Sequence, residues 1–258
     1  MQLPEGSQPL VISLPHSGRA LPAALAARMT AAGRAVADTD WHVERLYGFA
    51  KAMGASWIEP AYSRYVVDLN RPPDDTALYA GQVSTGLCPT HTFAGEALYV
   101  GDVPDATEQA ARRVQYWQPY HQGVQDLLAH AKARHGYAVL LDAHSIRSVV
   151  PRLFEGRLPD INVGTFGGQA CDPMLQARVM AVLAANSLFT HVLNGRFQGG
   201  YITRHYGQPT DRIYALQIEL AQVAYMDEDT TAFDERRAAP LSGLLQQVVA
   251  ELLQFCPA

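Results

Sequence analysis

The chain has 258 residues, 48% of them hydrophobic and 17% charged, which is enough to bury one sizeable core. A formal net charge of -5 excludes the basic footprint of a nucleic-acid binder or an anionic-membrane binder. No apolar run reaches the ~18 residues of a membrane span, and three cysteines (Cys88, Cys171, Cys256) without CxxC spacing argue against a disulfide framework.

Residues 9–14 read as a buried strand, and the Ala-rich stretch 21–33 as a helix ending near Gly33. Asp40 or Asp38 would cap a helix from Trp41 to about Met53. Ala55–Ile58 and Tyr65–Leu69 read as strands two and three. Residues 72–103, rich in Pro, Gly, Asp and Thr, form a long irregular stretch of the kind that is usually functional. A long helical pattern runs from about Ala106 to Arg134, kinked or split at Pro119 and stopped at Gly136. Strands follow at 137–142 and 161–165, then a helix over 172–186 opened by Asp172-Pro173. His191–Leu193 and Ala215–Leu220 are further strands. Residues 239–255 close the chain as an amphipathic helix with Leu241, Leu244, Leu245, Val248, Val249 and Leu252 on one face. This alternation predicts one α/β domain over residues 1–258, with a mixed, mostly parallel sheet covered by helices on both faces.

Two strand ends carry the chemistry. Pro15-His16-Ser17-Gly18 follows the first strand, and Asp142-Ala143-His144-Ser145 follows Tyr137–Leu141. Ligands bind at the carboxyl ends of strands in open α/β sheets, so histidines 128 positions apart can share one site. Neutral imidazole is a common metal ligand, and two such ligands are usually completed by a carboxylate. Asp40 or Asp38 can supply it, while the other caps a helix.

Four further features accompany the histidines. Asn70-Arg71 ends the third strand, and an arginine fork suits a carboxylate. Arg64 is the second choice, because a straight strand would place it about 23 Å from Arg71. Glu219 is an acidic residue within the apolar run Ile213–Val223; buried, it would have a raised pKa suited to a general base, whereas on an edge strand it would only be solvated. The segment Gly199–Gly207 offers Tyr201, Thr203, Arg204 and His205 to an anionic ligand, or is a mobile loop. Arg147 follows His144. Arginines 71, 147 and 204 beside these segments suggest a small substrate with more than one carboxylate. GxSxG, P-loop, GxGxxG and HExxH patterns are absent from the sequence.

Asp142–Ser145, Asn70-Arg71, Glu219 and His16 resemble the metal, carboxylate-binding and base motifs of zinc carboxypeptidases. The glutamate that family carries three residues after its first histidine is Arg19 here. More of the chain resembles the N-formylglutamate amidohydrolases (deformylases) of histidine degradation. The matching segments are Pro15–Gly18, Asp38–His42, Tyr62–Tyr65, Asp68–Pro72, Asp142–Ser148, Gly199–Gly207 and Glu219–Gln222. The resemblance implies a zinc-carboxypeptidase-like (phosphorylase/hydrolase-like) fold. It also implies hydrolysis of N-formyl-L-glutamate to formate and L-glutamate with a divalent metal, Zn2+ the expected one. In that scheme His16, Asp40 and His144 hold the metal and Glu219 is the base. Asn70, Arg71, Arg147, Tyr201, Thr203 and Arg204 bind substrate. The expected partner is this small molecule, with no nucleic acid and no membrane, and the expected location is cytoplasmic, since Met1–Ser7 shows no signal-peptide pattern. Alternatives are a deacylase of another N-acyl amino acid, a small metallo-carboxypeptidase, or a non-catalytic metal or dicarboxylate binding protein.

Overall fold

Short runs rich in Val, Ile and Leu make six strands: β1 (Leu10–Ser13), β2 (Ser56–Ile58), β3 (Ala138–Ile146), β4 (Ile161–Gly164), β5 (His191–Leu193) and β6 (Ile213–Ala221). A computed structural model describes residues 5–77 and 85–257. Residues 1–4 of the N-terminal stretch and residues 78–84 of the irregular stretch lie outside the described residues. The strands form one sheet in the order β2-β1-β3-β6-β4-β5. The first four run parallel, while β4 pairs antiparallel with β6 and parallel with β5. The expected mixed, mostly parallel α/β sheet is therefore present.

Side-chain alternation along a strand decides what each face does. Val139, Leu141 and Ala143 of β3 join Leu216, Ile218 and Leu220 of β6 in one core cluster. That cluster packs against α3 (Val43–Leu46), α7 (Pro173–Ala185) and α9 (Glu235–Gln254). The opposite parity, Ala138, Leu140 and Ala215, packs against α6 (Gln118–His135) and α8 (Tyr201–Tyr206). The sheet is thus covered on both faces. All six apolar residues expected on one face of the closing helix are buried, each contributing about 1.5–3 kcal/mol. Asp172 and Asp234 cap α7 and α9 by accepting backbone N–H groups. No described helix is long and apolar enough to cross a membrane.

Several local expectations are corrected. Stretch 21–33 is two short helices, α1 (Ala23–Ala26) and α2 (Ala31–Ala35). Thr30 starts the second by accepting from Gly33 N, while its own N–H is drawn to Leu98 O. Gly33 lies inside α2 because a Cβ would meet Leu98 O at 2.5 Å. Stretch 41–53 is likewise α3 plus α4 (Phe49–Ala52), and neither aspartate caps it: His42, at φ 62°, precedes α3 without a side-chain cap. Residues 65–69 are not a strand. Turns such as Val66 N to Ser63 O curl this segment back, so the straight-strand separation of Arg64 and Arg71 does not apply. Pro119 does not break its helix: α5 (Ala106–Arg112) continues through a π turn (Arg113–Trp117) into α6, where Pro119 sits in the first turn. Strand β3 runs four residues beyond 142, so His144 lies within it. The segment 199–207 is helical in part, as α8.

Candidate active site

Parity that sorts the core also builds the site. On β3, Asp142 and His144 share the α6/α8 face, and on β6 Gln217 and Glu219 share it too. The register pairs Asp142 with Gln217 and His144 with Glu219. Ser13 of β1 stands opposite Asp142 and donates to its Oδ1 at 3.1 Å. Beyond the end of β1, His16 brings its ring to 4.9 Å from that of His144.

His16, Asp40 and His144 are all buried, with ligating atoms within 4.8 Å of one another. Asp40 Oδ2 lies 3.0 Å from His144 Nδ1 and 3.7 Å from His16 Nδ1. Donor atoms of a tetrahedral zinc site with bonds of about 2.0–2.1 Å are separated by roughly 3.3 Å, so the spacing fits such an ion. Asp38 does not reach the histidines in this way; its carboxylate accepts from Phe93 N.

The far nitrogen of each imidazole meets a second carboxylate. His16 Nε2 is 2.8 Å from Asp68 Oδ1, and His144 Nε2 is 2.9 Å from Asp142 Oδ2. The His16–Asp68 hydrogen bond is of the kind that fixes the tautomer leaving Nδ1 for a metal. Arg64 pairs with Asp68 at 2.6 Å and lies 4.0 Å from Asp40. Burial raises the Asp68 pKa, but Arg64 and His16 outweigh it and hold that carboxyl well below its usual range. Burial and Arg64 lower the pKa of His16, which favours its neutral, ligating form. Burial also opposes charge on His144, yet Asp142 and Asp40 raise its pKa well above the usual value. With both histidines neutral, as ligation requires, Asp40, Asp68 and Asp142 against Arg64 leave a formal excess of two negative charges, which a divalent cation would balance in place of a proton on His144.

Glu219 is buried in a central strand, not solvated on an edge. Desolvation pushes its pKa up to about 8, against the opposing pull of His144. Gln217 Nε2 donates to Glu219 Oε2 at 2.9 Å.

A cavity of about 70 Å³ opens onto His16, His144 and Glu219. Arg64, Arg71 and Arg196 line it, together with Asn70, Gln217 and Phe93. Arg71 is braced by Thr85, whose carbonyl accepts from Nε at 2.7 Å. Arg147 is placed elsewhere, exposed and paired with Asp229. Tyr201 stacks on His205, Thr203 is fully buried, and Arg204 lies over Phe166; none of these lines this cavity. Sequence reasoning missed Arg196, and it gave Asp68, Asp142 and Gln217 no role. The last two had a legible signal, an Asp two positions before His144 and a Gln two positions before Glu219 on strands of matching parity. Arg196 had none.

His121 anchors the wall from behind. Its Nε2 donates to Leu69 O at 2.9 Å and its Nδ1 accepts from Tyr206 Oη at 2.9 Å. Burial lowers its pKa to about 3. The folded value lies below the unfolded value of 6.5, so this group's stabilisation is complete above about pH 6.5 and is lost as pH falls towards 3. One pKa unit is about 1.4 kcal/mol. In urea unfolding, the cost of His121→Gln is expected to shrink by roughly 2 kcal/mol between pH 6.5 and pH 5; a constant cost would contradict a buried neutral His121.

The profile of the N-formylglutamate amidohydrolase family matches residues 8–226. The chain is 52% identical to the N-formylglutamate deformylase of Pseudomonas aeruginosa, over 96% of this chain and 92% of that protein. It is 47% identical to the N-formylglutamate deformylase of Pseudomonas putida, over 97% and 94%. The crystal structure of N-formylglutamate amidohydrolase from Ralstonia eutropha JMP134 has the same fold, with a TM-score of 0.83 over 98% of both chains at 24% identity. With the profile spanning most of the chain and relatives near half identity, the protein belongs to the N-formylglutamate amidohydrolase family.

Proposed function

We propose that this protein hydrolyses N-formyl-L-glutamate to formate and L-glutamate, with a divalent metal and with Glu219 as general base, as the last step of a histidine degradation route. One observation carries the reading. One small cavity is lined by both histidines of a His–Asp–His set, by the buried Glu219 and by three arginines. The relatives carrying the deformylase name support the same reaction.

His16, Asp40 and His144 would hold the ion, and their mixed nitrogen and oxygen donors suit zinc. When bound, such an ion supplies Lewis acidity, making water nucleophilic at neutral pH and polarising a carbonyl. Glu219 accepts the proton of the attacking water as it adds to the formyl carbon, then delivers it to the leaving amine. A pKa near 8 lets the carboxylate both take and return that proton. The Arg64 Nε–H is buried and finds no hydrogen-bond partner among the described residues. It is suited to donate to the carbonyl oxygen as negative charge develops there. Arg71 and Arg196 hold the two carboxylates of the glutamate portion.

The test is formate release by zinc-loaded protein from N-formyl-L-glutamate, with N-formyl-L-leucine and N-acetyl-L-glutamate in parallel. Release from the first, with the leucine compound much slower, supports the proposal. No formate, with turnover of another N-acyl amino acid, overturns the substrate assignment. Within this reading, Arg196→Ala is expected to raise KM about 10–100-fold, since hydrogen bonds to a charged group contribute about 1.5–3 kcal/mol. Arg147→Ala is expected to leave KM nearly unchanged. Steady-state kinetics on the two variants decides between these arginines.

A further inference from the structure

The first turn of α8 touches both halves of the site through backbone groups. Ile202 N donates to Asn70 Oδ1 at 2.8 Å, which turns the Asn70 amide inward. Asn70 Nδ2 then donates to Asp142 Oδ2 at 3.2 Å and lies 3.0 Å from His144 Nε2. His144 Nε2 lies 2.9 Å from the same Asp142 Oδ2, so the Asn70 amide touches both members of the Asp142–His144 pair. On the other side, Gly200 N donates to Gln217 Oε1 at 2.7 Å, and the Gln217 amide in turn donates to Glu219. The chain approaches so closely that a Cβ on Gly200 would lie 2.3 Å from Asn70 Nδ2. No such contact is tolerated, so glycine is required there for space, not for its backbone angles.

We propose that Gly200–Ile202 is a brace and that Asn70 and Gln217 are positioning residues, its two arms. Asn70 holds the Asp142–His144 pair for the metal, and Gln217 aims the Glu219 carboxylate at the water. This assigns Asn70 to the metal side, where sequence motifs pair it with Arg71 as a substrate contact. The inference rests on the metal-assisted reading above.

The arms separate experimentally. The zinc dissociation constant is measured by competition with a chelator of known affinity, and kcat and KM are measured on N-formyl-L-glutamate. Asn70→Ala is expected to weaken zinc binding about 10–100-fold, the usual effect of losing a group that orients a metal-bound histidine through its partner. Gln217→Leu is expected to leave zinc affinity unchanged and to lower kcat about tenfold or more with little change in KM, part of the 10²–10⁴-fold that a positioned base supplies. Gly200→Ala, with both side chains still present, is expected to do both. Unfolding midpoints of the metal-free variants separate these effects from general destabilisation, and Gly200→Ala carries the test should Asn70→Ala fail to fold. An Asn70→Ala protein that binds zinc like wild type but has a raised KM would make Asn70 a substrate contact and overturn the metal arm. Full kcat in Gln217→Leu would overturn the base arm. Wild-type protein that binds no zinc would instead remove the metal reading itself.

Discussion

Replacing Glu219 by glutamine is expected to lower kcat for formate release by about 10²–10⁴-fold, with KM and metal content little changed. The substitution preserves shape and keeps an acceptor for the Gln217 amide, so the brace around position 219 survives. What it removes is the carboxylate that would take the proton. Burial has already made this carboxylate an unusually strong base, with a pKa near 8. An amide cannot accept a proton at any working pH. The measurement is saturating-substrate formate release, with zinc content determined on the same samples. A zinc-loaded Glu219→Gln protein at wild-type kcat would sink the assignment and favour a binding protein, which has no use for a buried base. Glu219→Asp retains the carboxylate but withdraws it by one methylene, and is expected to fall between the two.

How much of this was legible depended on whether a residue's role is local. The strand assignments for β1, β3, β4 and β6 follow from short apolar runs, and each is seen near its expected place. His16, His144 and Glu219 stood out because polar residues at the ends of, or inside, buried strands need a reason to be there. The third strand failed for a different cause. Tyr65–Leu69 has strand-like composition, but Asp68 is claimed by Arg64, His16 and Asn70 N, and the segment curls to satisfy them. That same curl carries Arg64 and Arg71 to one cavity, which a straight strand would have kept apart and which required the chain to bend between them. The short helices after β1 were drawn too long because their breaks are set by distant backbone partners, such as Leu98 O.

Among the arginines, proximity in sequence misled. Arg147 follows His144 by three positions, yet β3 ends at Ile146 and the guanidinium turns outward to Glu228 O and Asp229. Arg196 precedes the Gly199-Gly200 pair in a stretch with no motif, and only the fold of the chain after β5 carries it to the cavity. A cation's approach to a site is a tertiary fact, whereas a strand's parity is a local one. That is why Asp142 and Gln217 could have been read from spacing alone and Arg196 could not.

If the proposed metal reading holds, substituting His144 by alanine is expected to abolish stoichiometric zinc binding and to cut kcat/KM by about four orders of magnitude or more, because a bound ion would bring the pKa of water from about 15.7 towards ~7. The loss should extend beyond activity. His144 stands between Asp40 and Asp142, and without its ring two buried carboxylates face each other with one fewer donor. Breaking a buried charged pair from one side typically costs about 3–5 kcal/mol, so the metal-free variant should also melt below metal-free wild type. Chelation of the wild type separates the two effects. Removing the ion takes away only the stabilisation that binding confers, about 4 kcal/mol at a free concentration 1,000 times the dissociation constant, and leaves the imidazole in place. Wild-type activity should then vanish in chelator and return with added zinc, whereas His144→Ala should recover neither activity nor melting temperature. If prolonged chelation, verified by elemental analysis, left full formate release, the buried His16–Asp40–His144 group would be a structural charge cluster, and its carboxylates would owe their placement to Arg64 and the histidines alone.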